Sequence, residues 1–328
     1  MRSCRKNGLS AKAEQTLASI WFLSSVRIDD DGLGGFTEGA IEAGVRVLWA
    51  GNHWPEAVRA HAANHPDVEH LTQDLRQADW RVAPAHDLLT ASPSCVGNTP
   101  ARGKEKPHHD TARSTAWAVV DCAEYHRPRA ILVENVPGFL DWILYPAWKL
   151  ALEALGYSVS PHLVEAADCG VPQERLRVIV ACTRSKAPLQ LKLPKYRHVP
   201  ALEIIDFEQG SWTPVRKPGR APATLRRAIN GRRQFGDRFV MPYYGSGSGL
   251  TGRTLDRPIG TITTVDRWAV VRGSEMRMLS ISEYKRAMSF PEGYRMPGTS
   301  KRLDIHLLGN AIPPLMAKEC ILALQRAW

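Results

Sequence analysis

Ala130-Ile131-Leu132-Val133-Glu134-Asn135-Val136 is an apolar run that ends abruptly in an acid and an amide. A run this short, bounded by polar residues, reads as a buried strand. Outward from it, residues 20–26, 45–50, 87–91 and 178–182 are further candidate strands. Residues 37–43, 55–64, 111–124 and 142–155 lie between them and carry helical spacing. Strands alternating with helices in this way predict an α/β fold built on a doubly wound, mainly parallel sheet. Ligands of such sheets bind beyond the carboxyl ends of the strands. The residues that follow each run are therefore where chemistry is expected.

Composition narrows the class. The chain has 328 residues, room for a full core and a second, smaller domain. No stretch approaches the roughly 20 apolar residues of a membrane helix, and residues 1–20 read as a polar extension without the apolar block of a signal peptide. The cysteines at 4, 95, 122, 169, 182 and 320 form no C-x-x-C pair, which argues against a zinc knuckle or a dense disulfide frame. No metal is expected.

The net charge is +10. Between Arg184 and Arg272 there are 17 Lys+Arg against 6 Asp+Glu, so the rest of the chain is about neutral. Positive charge gathered in one segment suits a polyanion, because neutralised phosphates release counterions. That segment is rich in Arg, Pro and Gly, with short strands expected at 261–264 and 268–271 and a glycine-serine loop at 243–249. Residues 281–288 and 314–327 read as helices again. The expected organisation is an extension (1–20), a catalytic domain (21–184), a small basic domain (185–272) and a C-terminal segment (273–328) that returns to the first domain.

The strand-end residues follow. Gly32-Leu33-Gly34-Gly35 offers a close backbone approach at a helix start. Trp54, after Asn52-His53, could stack on a flat ring. Cys95 ends Ser92-Pro93-Ser94-Cys95, a thiol placed where positive charge or donors could activate it. Glu134 could hold and donate a proton near a dry cleft. In Gln173-Glu174-Arg175-Leu176-Arg177, alternation puts Gln173, Arg175 and Arg177 on one face, and paired arginines suit phosphate or base oxygens. Gly309-Asn310-Ala311-Ile312-Pro313-Pro314 is a turn before a helix. Singly, each has a structural explanation: a tight turn, a core tryptophan, a buried thiol, a capping acid, a basic strand edge.

Their order and spacing are more specific. The glycine turn, the aromatic after the second strand, Pro-x-Cys, Glu-Asn-Val, Gln-x-Arg-x-Arg, a basic variable region and Gly-Asn-x-x-Pro together resemble the cytosine-5 DNA methyltransferases, from about Gly32 to the C-terminus. Ala-Ser-Pro-x-Cys and Pro-Tyr-Tyr-Gly look like the compact, solitary enzymes carried by phages of actinobacteria. The resemblance implies a class I methyltransferase fold with S-adenosylmethionine as cofactor. Cys95 would add to carbon 6 of cytosine, Glu134 would hold ring nitrogen 3, and Arg177 would meet the base oxygen with Arg175 in support. Gly32, Gly34, Gly35, Trp54, Asp74, Leu75, Pro93 and Asn310 would line the cofactor pocket. Gln173, Arg232, Arg233 and Arg253 would contact DNA, and the target base would be flipped out of the stack. Arg277-Met278-Leu279-Ser280 with Glu283, Arg286, Phe290 and Pro291 resembles the motif that follows the recognition region.

The sequence departs from the family at the first turn. Ile28-Asp29-Asp30-Asp31 stands where Asp-Leu-Phe-x is usual, so an adenine-packing phenylalanine is missing and acids crowd the methionine carboxylate. His53 replaces the ribose-binding acid, Ser94 the second proline, and Val96 the following glutamine. The main expectation is transfer to carbon 5 of cytosine in double-stranded DNA by a cytoplasmic monomer, in a bacterium or phage-infected host, without a membrane or obligate protein partner. The alternatives are a catalytically impaired or altered-cofactor relative that still binds DNA, an RNA methyltransferase, and an NAD-type oxidoreductase that only the glycine turn would suggest.

Overall fold

The computed structural model describes residues 24–29, 33–96, 98, 113–185, 187–243 and 250–327, with the strand at 24–29 described by its backbone. The expectations for residues 1–20, Gly32, Asp30, Asp31 and the loop at 244–249 lie outside these.

The first part of the chain runs β1 (Ser24–Asp29), α1 (Gly35–Glu42), β2 (Arg46–Asn52), α2 (Pro55–Asn64), β3 (Glu69–Thr72), β4 (Leu88–Ser92), α3 (Trp117–His126), β5 (Ala130–Asn135), α4 (Tyr145–Ala154), β6 (Ser158–Glu165) and β7 (Leu176–Thr183). These strands form one seven-stranded sheet in the order β3-β2-β1-β4-β5-β7-β6. Only β7 runs against its neighbours. From β1 the chain winds outward to β3, then returns to β4 and winds the other way. The order therefore switches between β1 and β4, where the carboxyl ends of such strands open a crevice.

Every residue of β4 and β5 is buried. Both faces are covered, so these strands are mostly apolar, with polar residues gathered at their carboxyl ends. Leu88 and Leu132 join α1 residues Phe36 and Ala40 in one core. Leu89, Ile131 and Val133 join Val119 of α3 and Trp148 of α4 in the core on the other face. Each large side chain so buried contributes about 1.5–3 kcal/mol.

The expected strands and helices of this half are present with shifted ends. Two strands were not expected, β3 and β6. β3 is short and polar, and β6 is an edge strand interrupted by Pro161, a residue that edges tolerate.

The basic segment contains β8 (Thr213–Pro214), α5 (Pro222–Phe235), β9 (Arg238–Pro242), β10 (Trp268–Arg272) and β11 (Glu275–Met278). They form a four-stranded sheet in the order β8-β11-β10-β9. Its core is Phe239, Met241, Ala269, Val271 and Met276, closed by Ala228 of α5. The sheet passes the expected boundary at Arg272, because β10 and β11 are an antiparallel pair. Residues 261–264 form no strand. Side chains take the place of a ladder there: Gln173 Oε1 accepts from Ile262 N–H and Thr261 donates to the Glu174 carbonyl.

The chain ends in α6 (Ile281–Ala287), α7 (Lys301–Asn310) and α8 (Pro314–Gln325). Met316, Ala317, Cys320, Ile321 and Leu324 of α8 join the core that holds α1, so the C-terminal segment covers one face of the large sheet. Lys301–Gln325 is apolar enough by composition for a membrane span, but 78% of its apolar 18-residue window is buried, and it is two helices broken at residues 311–313.

Candidate active site

Ser92, Pro93, Ser94, Cys95, Glu134, Val136, Arg175, Arg177, Gly309 and Asn310 line one pocket at the carboxyl ends of β4 and β5. Residues far apart in sequence converge there because the parallel strands end on one edge of the sheet.

The Cys95 loop is clamped from both sides. Asn135 Nδ2 donates to the Pro93 carbonyl at 3.0 Å, and Asn135 Oδ1 accepts from the Val136 N–H. Ser94 N–H donates to Thr115 Oγ1 at 3.0 Å, a bond that the usual proline could not make. Among the described cysteines, Cys95 alone is not buried. Burial pushes the Cys122, Cys182 and Cys320 thiols well up and Cys169 up to about 12. Thiols held neutral are poor nucleophiles, which leaves Cys95 as the reactive candidate.

Glu134 is the penultimate residue of β5 and is 6% exposed. Its Oε1 lies 3.0 Å from Arg177 Nε, and both side chains are largely shielded from water. Arg177 Nη1 also donates to the Leu176 carbonyl. A buried carboxylate needs such a partner, and the pair leaves both groups facing the pocket.

Arg175 and Gln173 do other work than expected. Arg175 is 1% exposed. Its guanidinium donates to the carbonyls of Ile262, Gly309 and Ala311. It holds the wall that carries Asn310 and lines the pocket with its guanidinium turned onto that wall. Gln173 is fully buried, with Nε2 on the Ala287 carbonyl and the Met288 sulfur. That environment gives it no surface for DNA; it joins the large sheet to α6. Gly309 is required beside them, because a Cβ there would overlap the Thr263 backbone.

The expected cofactor residues divide. Pro93 and Asn310 line the pocket. Gly34 caps α1 with φ +101°, a conformation glycine adopts freely. A Cβ at Gly35 would overlap the Ile312 carbonyl. The turn is held from behind by the Tyr294 hydroxyl, which donates to the Leu33 carbonyl. Trp54 faces a separate groove of about 430 Å³, with His53, Ser300, Arg302, Leu303 and His306. Asp74 is exposed, and the Arg76 guanidinium holds its carboxyl below the usual range; burial opposes this, and the Arg76 N–H and the charge of His53 add to the lowering. Leu75 is 2% exposed, its side chain in the core with Trp49 and Trp80.

Arg232 and Arg233 are exposed on the last turn of α5, Arg232 paired with Asp237. Arg253 pairs with Glu174 at 2.5 Å and lies over the Trp268 ring. None of the three lines the pocket. Sequence reasoning missed Asn135 and Thr115 as clamps, Gly309 as a close approach and Ser92 as a pocket residue. The Asn beside Glu134 was the one available signal.

Residues 30–217, more than half of the chain, match the family model for C-5 cytosine-specific DNA methylase. The type II methyltransferase M.HhaI of Haemophilus parahaemolyticus is 26% identical over 82% of this chain and 85% of its own length. The type II methyltransferase M.AgeI of Thalassovita gelatinovora is 32% identical over 45% of this chain, a match that spans 37% of that protein. Among solved structures, the Entamoeba histolytica methyltransferase EhMeth has a TM-score of 0.67 at 14% identity, over 93% of this chain and 98% of that one, a likeness of fold. The chain belongs to the family of C-5 cytosine-specific DNA methylases.

Proposed function

We propose that this chain methylates carbon 5 of cytosine in double-stranded DNA, with Cys95 as the nucleophile and Glu134 as the proton donor. The observation that carries the reading is the meeting of Cys95, Glu134 and Arg177 in one pocket. An NAD-type reaction has no use for that set.

The Cys95 thiolate adds to carbon 6 of the flipped base. Glu134 gives a proton to ring nitrogen 3, which lets the ring accept the electron pair. Arg177 steadies Glu134 and faces the base oxygen. Carbon 5 is then electron-rich. When bound, S-adenosylmethionine supplies the methyl group that carbon 5 takes, the sulfur keeping the bonding electrons. Water removes the carbon 5 proton, nitrogen 3 returns its proton to Glu134, and Cys95 leaves as thiolate. One hard substitution becomes several easier steps.

The residues suit that methyl donor. The groove beside Trp54 falls within the about 300–1,000 Å³ typical of small-molecule sites. Trp54 offers a stacking face and Asp74 an exposed acceptor, while Gly34 and Asn310 would hold the methionine end. His53 in place of an acid gives a single ribose contact. The basic surface around Arg232, Arg233 and Arg253 would hold phosphates.

The test is methyl-labelled S-adenosylmethionine with unmethylated DNA and, separately, with RNA, each digested to nucleosides. Label in 5-methylcytosine from DNA supports the reading. Label from RNA alone would move the substrate class. Salt-sensitive DNA binding without label would favour a binding protein on an inactive methyltransferase frame.

A further inference from the structure

Ser92 ends β4 inside the same pocket. It is 8% exposed, and its hydroxyl is buried with no hydrogen-bond partner. A buried hydroxyl left unpaired is costly, and such exceptions mark sites where something else completes the bond.

Its neighbours say what that is. β4 and β5 are in parallel register, with Ala91 opposite Val133. One step further, Ser92 stands beside Glu134. Strand alternation puts Ser92 on the face of Leu88 and Glu134 on the face of Leu132, and those two leucines share one core. β7 flanks β5 on its other side, and its Arg177 reaches Glu134 at 3.0 Å. A hydroxyl, a carboxyl and a guanidinium thus stand in a row across three adjacent strands, β4, β5 and β7. The polar edge of cytosine presents an amino group, a ring nitrogen and an oxygen in the same order. With Arg177 at the oxygen and Glu134 at the nitrogen, the remaining place is the amino group. One of its N–H groups faces the second oxygen of Glu134, and the other faces Ser92.

Building on the cytosine-methylation reading, we infer that Ser92 is a further substrate-contacting residue, whose hydroxyl oxygen accepts a hydrogen bond from the exocyclic amino group of the flipped cytosine. It fixes the base edge while Cys95 attacks across the ring.

Two DNA duplexes test this, one with 5-fluorocytosine and one with 5-fluoro-2-pyrimidinone, which lacks the amino group, as target base. Fluorine at carbon 5 cannot leave as a proton, so both bases trap the Cys95 adduct after methyl transfer. Rates of adduct formation are compared for wild type, Ser92→Ala and Ser92→Thr. Ser92→Ala should slow adduct formation about fivefold to tenfold on 5-fluorocytosine and leave the rate on the amino-less base unchanged. Ser92→Thr, which keeps the hydroxyl, should recover most of the loss. Equal slowing on both bases, or none, overturns the inference. So does a matching loss of S-adenosylhomocysteine binding in Ser92→Ala, which would turn the hydroxyl toward the cofactor. No adduct from the wild type on either base overturns the methylation reading itself, and this inference with it.

Discussion

The pocket at Cys95 and the groove at Trp54 lie on the same edge of the sheet but are built differently. In the pocket, Glu134 is 6% exposed and Arg175 1%, and its polar groups are tied by bonds from Asn135, Thr115 and Arg175. In the groove, His53, Ser300, Arg302 and His306 are all exposed, and nearby Asp74 pairs with Arg76 at the surface. Surface pairs are worth little and adapt easily, whereas buried ones leave a costly orphan when broken. The chain fixes the pocket around Cys95 and leaves the groove around Trp54 adjustable. His53, where the sequence departs from the family, lies in the adjustable groove, while Cys95, Glu134 and Arg177 lie in the fixed pocket.

This contrast can be broken or sharpened by substitution. The largest effect is expected at Glu134. Glu134→Gln removes the transferable proton, and single-turnover methylation should fall about 10²–10⁴-fold; a change of less than tenfold would remove Glu134 from the chemistry. Next is the buried Arg277–Glu283 pair, 4% and 0% exposed at 2.7 Å. Burial raises the Glu283 pKa, but the Arg277 guanidinium and the N–H groups of Ser280 and Asp206 outweigh it, and the net value lies below 4.5. Arg277→Met should cost about 3–5 kcal/mol in denaturant unfolding. Since the folded pKa is lowered, the pair stabilises the fold above the ordinary carboxylate pKa of 4.5, and this is lost as pH falls through the folded value. Wild type and Glu283→Gln should therefore converge in melting temperature at acid pH; parallel curves would contradict the pairing.

Arg175→Met strips hydrogen bonds from three buried carbonyls and should lower stability by about 2–3 kcal/mol, with activity falling through a loosened wall. Full stability with lost activity would instead put Arg175 in the chemistry. The groove should respond least. Trp54→Ala should raise KM for the methyl donor about tenfold, and Asp74→Asn only about threefold, with kcat nearly kept. Larger effects there would mean that the groove is as tightly specified as the pocket.

The same contrast governs what could be read in the sequence. The buried strands were legible because both faces are covered: in Leu88–Ala91 and Ala130–Val133 every residue but Thr90 is apolar. Cys95, Glu134 and Arg177 were legible because strand ends gather on one edge. Helix α5 was hidden because Pro222–Phe235 carries four arginines and buries little beyond Thr224, Arg227, Ala228 and Gly231. Residues 261–264 looked like a strand because Thr261, Ile262, Thr263 and Thr264 are all β-branched, but side-chain bonds with Gln173, Arg175 and Thr261 replace a ladder there. Gln173 was misread for a related reason. Alternation along one strand gives its direction but not α6, which arrives from over a hundred residues away to bury it.

Covalent catalysis requires that Cys95 form a bond to the base. The most direct measurement is mass spectrometry of the complex formed with 5-fluorocytosine DNA and S-adenosylmethionine, digested to peptides. A methylated nucleotide should be found attached to the Cys95 peptide, with no adduct from Cys95→Ala. An adduct on another residue, or methyl transfer that survives Cys95→Ala, would contradict it.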